Sequence, residues 1–454
     1  MNNISVRLTE MELTNFKNVD YGKINFSSNT DIDCFNTSDI IGIYGQNGSG
    51  KTAAINALEL LRKTLLGQKL AVNDNFYISI DKPWCNCKYT FIIKHDKISY
   101  KVTYDFTLSK YQKDDKTSSF CYSSEKILFK QLHSESILQP LLNYTESTTN
   151  IFGPAKQYSE FVNKKNKDEL LYQKRAAKEN RNSFFFSNAF RNLVKNQESE
   201  KPVSFVLRVL WTYAFSKLFI ISNTHAGLIS LNLFPLTFSL EESGHKSFGE
   251  ILMDEQTKMP VETYSVAKKV LLGMNELIGT IIPNLKLDIK EVGITLNEKN
   301  QKLMQFELLS THDNESIPLK YESEGIRKIV SILNLLVCMY NNDDITVAVD
   351  ELDAGIFEYL LGELISILKE HGKGQLIFTS HNLRPLEVLD YTSVYFTTVN
   401  SKNKYIRFKN VKGCNNLRDM FIRAINLGGQ SECLYQQTDK ADIRRAFRKT
   451  GAEK

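Results

Sequence analysis

The sequence predicts an α/β protein with a mixed sheet, flanking helices, an antiparallel β subdomain and a mostly helical insertion. Three patterns support this prediction: a buried apolar run that leads into a glycine-rich loop, strand-like alternation over residues 76–130, and alternating helix and strand patterns from residue 320 onward. The chain has 454 residues, of which 42% are hydrophobic, and this is sufficient for more than one hydrophobic core.

The N-terminal elements are predicted as a strand pair, a third strand and a helix. Residues 4–26 alternate in the manner of two strands around a turn, and Asn15-Phe16-Lys17 stands within that pattern. The short apolar run at 40–44 predicts a strand, and the spacing of apolar residues over 53–61 predicts a helix. Residues 108–118 are predicted as a polar hairpin or loop.

The composition indicates a cytoplasmic protein without a membrane segment. No apolar run reaches the roughly 20 residues that a membrane helix needs, and residues 1–10 lack the apolar core of a signal peptide. The seven cysteines show no zinc-site spacing, so we interpret them as reduced and mostly buried thiols. The net charge of +5 allows a local basic patch but does not mark the whole chain as a nucleic-acid binder.

The strongest motif is a glycine-rich loop with the spacing G-x-x-x-x-G-K-[ST], between the predicted strand and helix. Its residues are Gly45, Gln46, Asn47, Gly48, Ser49, Gly50, Lys51 and Thr52, followed by Ala53. Glycines allow the backbone amides to curl around phosphates, and the lysine places a positive charge on the β- and γ-phosphates. We therefore expect this loop to bind ATP, with the Thr52 hydroxyl as a Mg²⁺ ligand.

A second motif ends the predicted strand at 345–349 in two adjacent carboxylates, Asp350 and Glu351. The strand reads as buried on both faces. Asp350 is placed to hold Mg²⁺, and Glu351 is placed to orient or activate the attacking water. The alternative is a strand that ends in an ordinary polar turn.

Two further motifs have weaker signals. His381 follows the predicted strand at 375–379 and is a candidate γ-phosphate sensor, although a lone histidine is more often a core or cap residue. Ser323-Glu324-Gly325 begins a predicted helix, where a hydroxyl and free amides can bind an anion. The alternative for this serine is an ordinary N-cap.

Along the chain the motifs follow the order glycine-rich loop, Ser-x-Gly helix, Asp-Glu strand and Ser-His strand. This order resembles the ABC-ATPase head shared by SMC, RecF and OLD proteins, over roughly residues 1–65 and 285–400. The resemblance implies that Ser323 and Gly325 act in trans on ATP held by another subunit, in a homodimer or higher homo-oligomer. It also implies that Glu351 is the catalytic base and His381 the switch histidine, with Lys51 as a further catalytic residue.

The sequence departs from the transporter-type pattern after the two carboxylates. Phe357 stands where those proteins have an aspartate, and Asp353 is the candidate replacement. The family's Q-loop glutamine is not assigned, with Gln131 as one candidate. The signature has Glu324 in place of the usual glycine, which resembles the OLD-like branch.

We divide the chain into four predicted parts. They are an N-terminal ATPase lobe at 1–134, a mostly helical insertion at 135–284, a C-terminal ATPase lobe at 285–400, and a tail at 401–454 that contacts a partner or nucleic acid. The sequence lacks the sustained heptads that an SMC-like coiled coil would have. After the predicted head it also lacks the Asp-x-Asp pair that a metal-dependent nuclease domain would need. Asp31-Ile32-Asp33 has that spacing but precedes the glycine-rich loop.

Three functions remain open from the sequence, and one of them is a purely structural protein whose ATP site locks an assembly with little turnover. The combination resembles the ATPase subunits of anti-phage systems of the abortive-infection, Septu-like and PARIS-like kinds, which control a separately encoded effector, a nuclease or toxin. The alternative is a RecF- or SMC-like repair or chromosome-maintenance ATPase that clamps DNA directly.

Two basic segments are candidates for DNA or RNA contact. One is the stretch 164–191, which contains Phe184, Phe185 and Phe186, and the other is the final helix around 442–449. The alternatives are a solvated helix face and, at the three phenylalanines, a protein docking site.

Overall fold

The structure, a computed structural model, describes residues 4–27, 35, 37–114, 117–133, 137–164, 166–195, 201–222, 233–240, 245–253, 255–313, 315–409 and 416–452. The strands are β1 (Ile4–Phe16), β2 (Val19–Asn25), β3 (Asp39–Tyr44), β4 (Trp84–His95), β5 (Ile98–Asp114), β6 (Thr117–Gln131), β7 (Gln139–Thr145), β8 (Leu218–Ile221), β9 (Leu233–Leu240), β10 (His245–Leu252), β11 (Thr257–Pro260), β12 (Leu285–Leu296), β13 (Lys302–His312), β14 (Glu315–Pro318), β15 (Thr346–Val349), β16 (Gln375–Thr379), β17 (Val394–Thr397) and β18 (Tyr405–Ile406). The α-helices are α1 (Lys51–Leu65), α2 (Ala155–Phe161), α3 (Lys167–Asn180), α4 (Asn188–Lys195), α5 (Pro202–Ser216), α6 (Val261–Gly273), α7 (Asn275–Ile281), α8 (Glu324–Asn341), α9 (Glu358–His371), α10 (Leu417–Leu427) and α11 (Lys440–Ala452).

A six-stranded sheet of order β18-β17-β3-β16-β15-β8 carries the motif strands. All neighbours in it are parallel except the edge pair β17 and β18. Because β3, β15 and β16 are adjacent and parallel, the segments that follow them emerge at the same edge of the sheet. That edge therefore collects the glycine-rich loop, the two carboxylates and the Ser-His pair.

The motif strands are buried on both faces, as predicted, and their side chains alternate between two cores. Ala348 and Ile377 belong to a cluster that includes α1 and the antiparallel sheet. Their strand neighbours Val347 and Leu376 belong to a second cluster with α8 and α9. The α/β fold class with mixed sheets and flanking helices is confirmed.

The antiparallel subdomain is a second six-stranded sheet of order β2-β1-β4-β5-β6-β7. A buried polar network joins it to the parallel sheet. Arg7 on β1 is fully buried and pairs with Asp39 on β3 at 2.6 Å. Gln375 on β16 donates to the Leu8 carbonyl at 2.8 Å and to Asp39 Oδ2 at 3.2 Å. The first strand is thereby fixed against two strands of the other sheet.

The described residues of 135–284 are mostly helical, as predicted, but they also include strands that the sequence did not predict. The segment supplies β7 to the antiparallel sheet. It also supplies β8 to the parallel sheet, where β8 pairs in parallel with β15. It also supplies the β9–β10 hairpin. A four-residue apolar run such as 218–221 has no periodicity that distinguishes a strand from a helix, and only its pairing with β15 decides it.

The basic stretch 164–191 does not provide the exposed aromatic docking site considered from the sequence. Phe184, Phe185 and Phe186 are each 0% exposed, because they pack in an aromatic core with residues such as Tyr144. Lys174 is also buried, and its ammonium group donates to three backbone carbonyls at 2.6–2.9 Å. The charged residues around the three phenylalanines suggest a surface site, but the phenylalanines themselves are buried.

The predicted tail begins inside the fold. β18 pairs with β17, and Phe421 of α10 stacks on Phe396 with ring centroids 4.9 Å apart. Arg418 of the same helix bonds Glu387 at 2.6 Å. Residues 405–409 and 416–427 are therefore part of the C-terminal lobe, and Leu434 is buried in the same core. The exposed helix of the tail is the last one, α11.

Among the described helices, none is long and apolar enough to cross a membrane. The five cysteines in the described ranges are free thiols, of which Cys85, Cys87 and Cys121 are buried. The same ranges hold no cluster of three or more histidine, cysteine or acidic side chains suited to a metal ion. Cys34, Cys414 and the predicted Asp31-Ile32-Asp33 spacing lie outside the described residues.

Candidate nucleotide site

The glycine-rich loop turns sharply between β3 and α1. Its three glycines all have positive φ, 151° at Gly45, 73° at Gly48 and 106° at Gly50. A side chain at Gly45 would also lie only 1.8 Å from the Thr397 hydroxyl of β17. Glycine is required at these positions because only it adopts such angles without strain. The loop consequently presents backbone amides at the N-terminus of α1, where an anion is stabilised.

Lys51 lies inside this loop. Its ammonium group donates to the carbonyl of Gly45 at 2.9 Å and to that of Gln46 at 3.1 Å. Burial lowers the pKa of Lys51, and the nearby carboxylates Asp350 and Glu351 oppose that shift. The hydroxyl of the next residue, Thr52, lies 3.4 Å from Asp350 Oδ1, so the carboxylates after β15 lie beside the loop that holds this lysine.

Asp350 is almost completely buried, 2% exposed, at the end of β15. Its Oδ1 accepts from the Thr379 hydroxyl at 2.5 Å, and the Thr52 hydroxyl lies 3.4 Å from the same oxygen. The two predicted metal ligands, Thr52 and Asp350, are therefore brought together as expected from parallel neighbouring strands. Thr379, which the sequence did not single out, orients the aspartate.

Glu351 adopts an unusual backbone conformation, with φ 49°. Its amide donates to the Thr379 hydroxyl at 2.7 Å, so one threonine holds both carboxylate residues. The Lys328 ammonium group donates to the Glu351 carbonyl. Burial lowers the pKa of Lys328, and the nearby Asp353 opposes this. Since Lys328 belongs to α8, this bond ties the helix that begins at Ser323 to the carboxylate loop.

Asp353 organises the segment after β16. Its Oδ2 accepts from the amides of His381 at 3.1 Å and Asn382 at 3.0 Å. The His381 side chain is exposed at the same sheet edge as the carboxylates. Asp353 thus fixes the backbone that presents this histidine.

Ser323 begins α8 and is exposed. Its hydroxyl accepts from the Ile326 amide at 3.3 Å, an N-cap interaction. Two residues on, Gly325 packs against the carboxylate loop, where an added Cβ would lie 2.3 Å from the Gly355 carbonyl oxygen. The described contacts of this helix start are with its own carboxylate loop and not with its own glycine-rich loop.

A family model described as AAA ATPase domain, AAA_15, matches residues 7–384. The chain belongs to this ATPase family. The match spans the glycine-rich loop, the Ser323 helix, the carboxylate pair and His381. The protein is therefore an ATPase, as predicted, and uses ATP. No curated protein sequence matches the chain.

Solved structures similar to this ATPase include SMC and RecF proteins. The SMC head bound to the C-winged helix domain of ScpA has 10% identity and a TM-score of 0.40, covering 88% of this chain and 98% of that chain. The SMC head domain of Thermotoga maritima has 14% identity and a TM-score of 0.36, covering 89% and 99%. The ATP complex of the recombination mediator RecF has 13% identity and a TM-score of 0.34, covering 83% and 94%.

Several contacts around the phosphate loop of the ATPase were not predicted. The Asn18 amide donates to the Gly48 carbonyl at 2.7 Å, and the Thr397 hydroxyl lies 2.5 Å from that of Ser49. From the tail, the Gln436 amide donates to the Gln46 side chain at 3.0 Å. The first of these joins residues 30 positions apart, and the other two come from segments roughly 350 or more residues away, so none of them has a local signal in the sequence.

The ATPase does not place Gln131 near the phosphate loop. Gln131 pairs with Tyr100, and Tyr100 pairs with Ile93, which lies opposite Val6 near the start of β1. The phosphate loop is contacted from the other end, by Asn18 in the turn after β1. At about 3.3 Å per residue these ends are about 40 Å apart, so the candidate Q-loop assignment of Gln131 is wrong.

A cavity of about 560 Å³ lies beside the phosphate loop of the ATPase. Lys17 and Asn18 from the β1–β2 turn and Asp20 from the start of β2 line one side, and Phe76 lines another. Phe76 is 67% exposed, which is unusual for a phenylalanine. The cavity thus combines a polar wall next to the loop with an exposed aromatic ring.

Proposed function

We propose that this ATPase hydrolyses ATP at a site completed by a second copy of the chain. Ser323 and Gly325 of one copy close over ATP bound to the phosphate loop of the other. The observation that carries this proposal is the position of the helix start. Ser323 is exposed at the N-terminus of α8, where free amides favour phosphate, yet its described contacts are not with its own phosphate loop.

Exposed aromatic side chains on the same face support a paired arrangement. Tyr321, just before Ser323, is 70% exposed, and Phe357 and Tyr359, just after the carboxylate loop, are 69% and 54% exposed. Aromatic rings are costly to leave in water and are enriched at interfaces. A second copy seated on this face would cover them.

The side chains suit hydrolysis of the terminal phosphate. Lys51 and the loop amides bind the phosphates, and the cavity beside Asn18 and Phe76 takes the base and ribose. Glu351 accepts a proton from water as its oxygen attacks the γ-phosphorus, the bond to the β-phosphate oxygen breaks, and ADP and phosphate leave. The γ-phosphate is contacted by His381 of the copy that binds the ATP, and by Ser323 and the Gly325 amide of the second copy.

The metal that the reaction requires fits the residues present. Thr52 and Asp350 offer hydroxyl and carboxylate oxygens 3.4 Å apart, and Mg²⁺ prefers oxygen ligands. We propose that they hold Mg²⁺, which when bound neutralises charge on the phosphates.

The test is Glu351→Gln, which keeps size and hydrogen bonding but removes the base. We expect normal ATP binding, turnover lower by about a hundredfold or more, and a nucleotide-dependent dimer that accumulates in light scattering. Glu358→Gln is the matched control, since this exposed glutamate starts α9 close by. Near-normal turnover of Glu351→Gln would remove Glu351 as the base.

We further propose that the ATP cycle controls a separately encoded effector, a nuclease or toxin, in anti-phage defence. The support is the sequence resemblance to such ATPase subunits. Co-purification with the product of the neighbouring gene tests it. A RecF- or SMC-like DNA clamp is the alternative, favoured by the five exposed cationic residues on α11. The DNA-clamp alternative predicts that DNA stimulates ATP hydrolysis and that this stimulation falls steeply with salt concentration. If this is observed and no effector protein co-purifies, the effector-control proposal is rejected.

A further inference from the structure

The last helix, α11, is amphipathic and has no cover within the described chain. Every residue from 440 to 450 is exposed. Ile443 and Phe447, one turn apart on one face, are 45% and 78% exposed. A helix of 13 residues is marginal by itself in water, so burial of its apolar face is what would stabilise it.

A groove on the C-terminal lobe offers an apolar surface of suitable kind. It has a volume of about 330 Å³ and lies between α7, α8 and α9. Leu277, Val337, Tyr340, Leu364 and Ile367 line it. Ile367 is 49% exposed and Leu277 36% exposed, so the groove is open to solvent. Apolar grooves between helices are a common docking site for an amphipathic helix.

The charges of the groove and of α11 are opposite. Glu363 and Glu370 stand four residues before and three residues after Ile367 on α9, on the same exposed face, and Glu276 is exposed beside Leu277. The one lysine of α9, Lys369, is engaged elsewhere, with the Val388 carbonyl at 2.9 Å and Asp390 at 2.9 Å. The basic residues of α11 are Lys440, Arg444, Arg445, Arg448 and Lys449. The exposed glutamates beside the groove are therefore complementary in charge to the basic residues of α11.

The tail is anchored away from its own groove. A backbone bond from the Val399 amide to the Cys433 carbonyl, at 2.8 Å, holds it to the edge of the parallel sheet. At the phosphate loop, the Gln436 backbone amide donates to the Gln46 side-chain oxygen at 3.0 Å. Both contacts lie near the carboxyl ends of the parallel strands, whereas the groove lies along the C-terminal half of α8, which leads to the opposite end. The exposed helix therefore does not occupy its own groove.

We propose that α11 of one copy docks into the α7–α8–α9 groove of another copy, with Ile443 and Phe447 in the groove and the arginines against its glutamates. This contact is separate from the ATP-dependent pairing of the Ser323 face. Because it joins two different surfaces, it links copies head to tail, into a closed ring or an open chain.

The test measures the mass of the full-length chain against concentration, in nucleotide-free buffer. Phe447→Glu and Ile367→Glu, on opposite sides of the contact, should each raise the dissociation constant for self-association about tenfold or more. Leu427→Glu, at a position 83% exposed but outside the helix and groove, is the control and should not change it. Because nucleotide is absent, failure here leaves the proposed ATP-dependent pairing intact.

Cross-linking identifies the occupant. In a Cys433→Ser background, chains with Phe447→Cys are mixed with differently tagged chains with Ile367→Cys, and a covalent heterodimer is expected. A chain that carries both cysteines is examined in parallel. The proposal is overturned if the link forms only within one copy of that chain, or if no link forms in either sample. So does a result in which Phe447→Glu leaves the mass unchanged while Arg448→Glu abolishes DNA binding.

Discussion

Thr379→Val removes one hydroxyl that serves both carboxylate residues of the site. The Thr379 hydroxyl donates to Asp350 at 2.5 Å and accepts from the Glu351 amide at 2.7 Å, and the residue is 0% exposed. Valine has nearly the same shape, so packing within β16 is retained. The variant therefore isolates the two hydrogen bonds from the volume of the side chain.

The expected magnitude follows from the charge of the acceptor and from burial. A hydrogen bond to a charged group contributes about 1.5–3 kcal/mol, and a buried amide left without a partner costs about 1–3 kcal/mol. If the bond to Asp350 is needed in the transition state, its loss lowers kcat by about 10- to 150-fold. The misplaced Glu351 backbone acts in the same direction.

Steady-state ATP hydrolysis, with nucleotide binding measured separately, checks this. Thr379→Ser retains the hydroxyl and should restore most of kcat. Thr103→Val is the matched control, since Thr103 is a buried strand threonine, 2% exposed, in the other sheet. Wild-type turnover in a folded Thr379→Val protein would refute the role assigned to this threonine.

Two other substitutions test the link between the sheets and the signature contact. Arg7→Met leaves Asp39 buried without its cation and should lower the free energy of unfolding by about 3–5 kcal/mol, measured by urea denaturation; a loss below 1 kcal/mol on the same scale would show that the pair is not important for folding. Gly325→Ala places a Cβ 2.3 Å from the Gly355 carbonyl and should lower kcat about tenfold or more with ATP binding retained, whereas Gly279→Ala, whose Cβ has only one neighbour, at 3.9 Å, should not. Equal activity of both glycine variants would contradict the importance of that close approach.

The sequence predicted the parts of the site that are local in the chain. The glycine-rich loop, the two carboxylates and the strand before His381 each form within a short segment, and parallel strand order brings them to one edge. Thr379 and Thr397 were missed because a threonine at a strand end has no distinctive pattern. Their roles depend on which strands are neighbours, which is decided by pairing across the fold.

The insertion was less predictable for a related reason. The strand at 218–221 and the phenylalanines at 184–186 are short apolar runs, and such runs occur equally in strands, cores and exposed patches. Only the contact of Phe184 with Tyr144, and the pairing of β8 with β15, decide between these possibilities. Long-range packing therefore overrides the local composition in this region.

The central claim is that one copy of the chain holds only half of the ATP site, and mixing two inactive variants tests it most directly. Lys51→Ala removes the phosphate contact and Ser323→Ala the signature contact, so each protein alone should hydrolyse ATP poorly. In a mixed dimer, one site combines an intact Lys51 with an intact Ser323, and turnover should rise well above the sum of the separate proteins. If mass measurement shows mixed dimers and turnover still equals that sum, the composite site is contradicted.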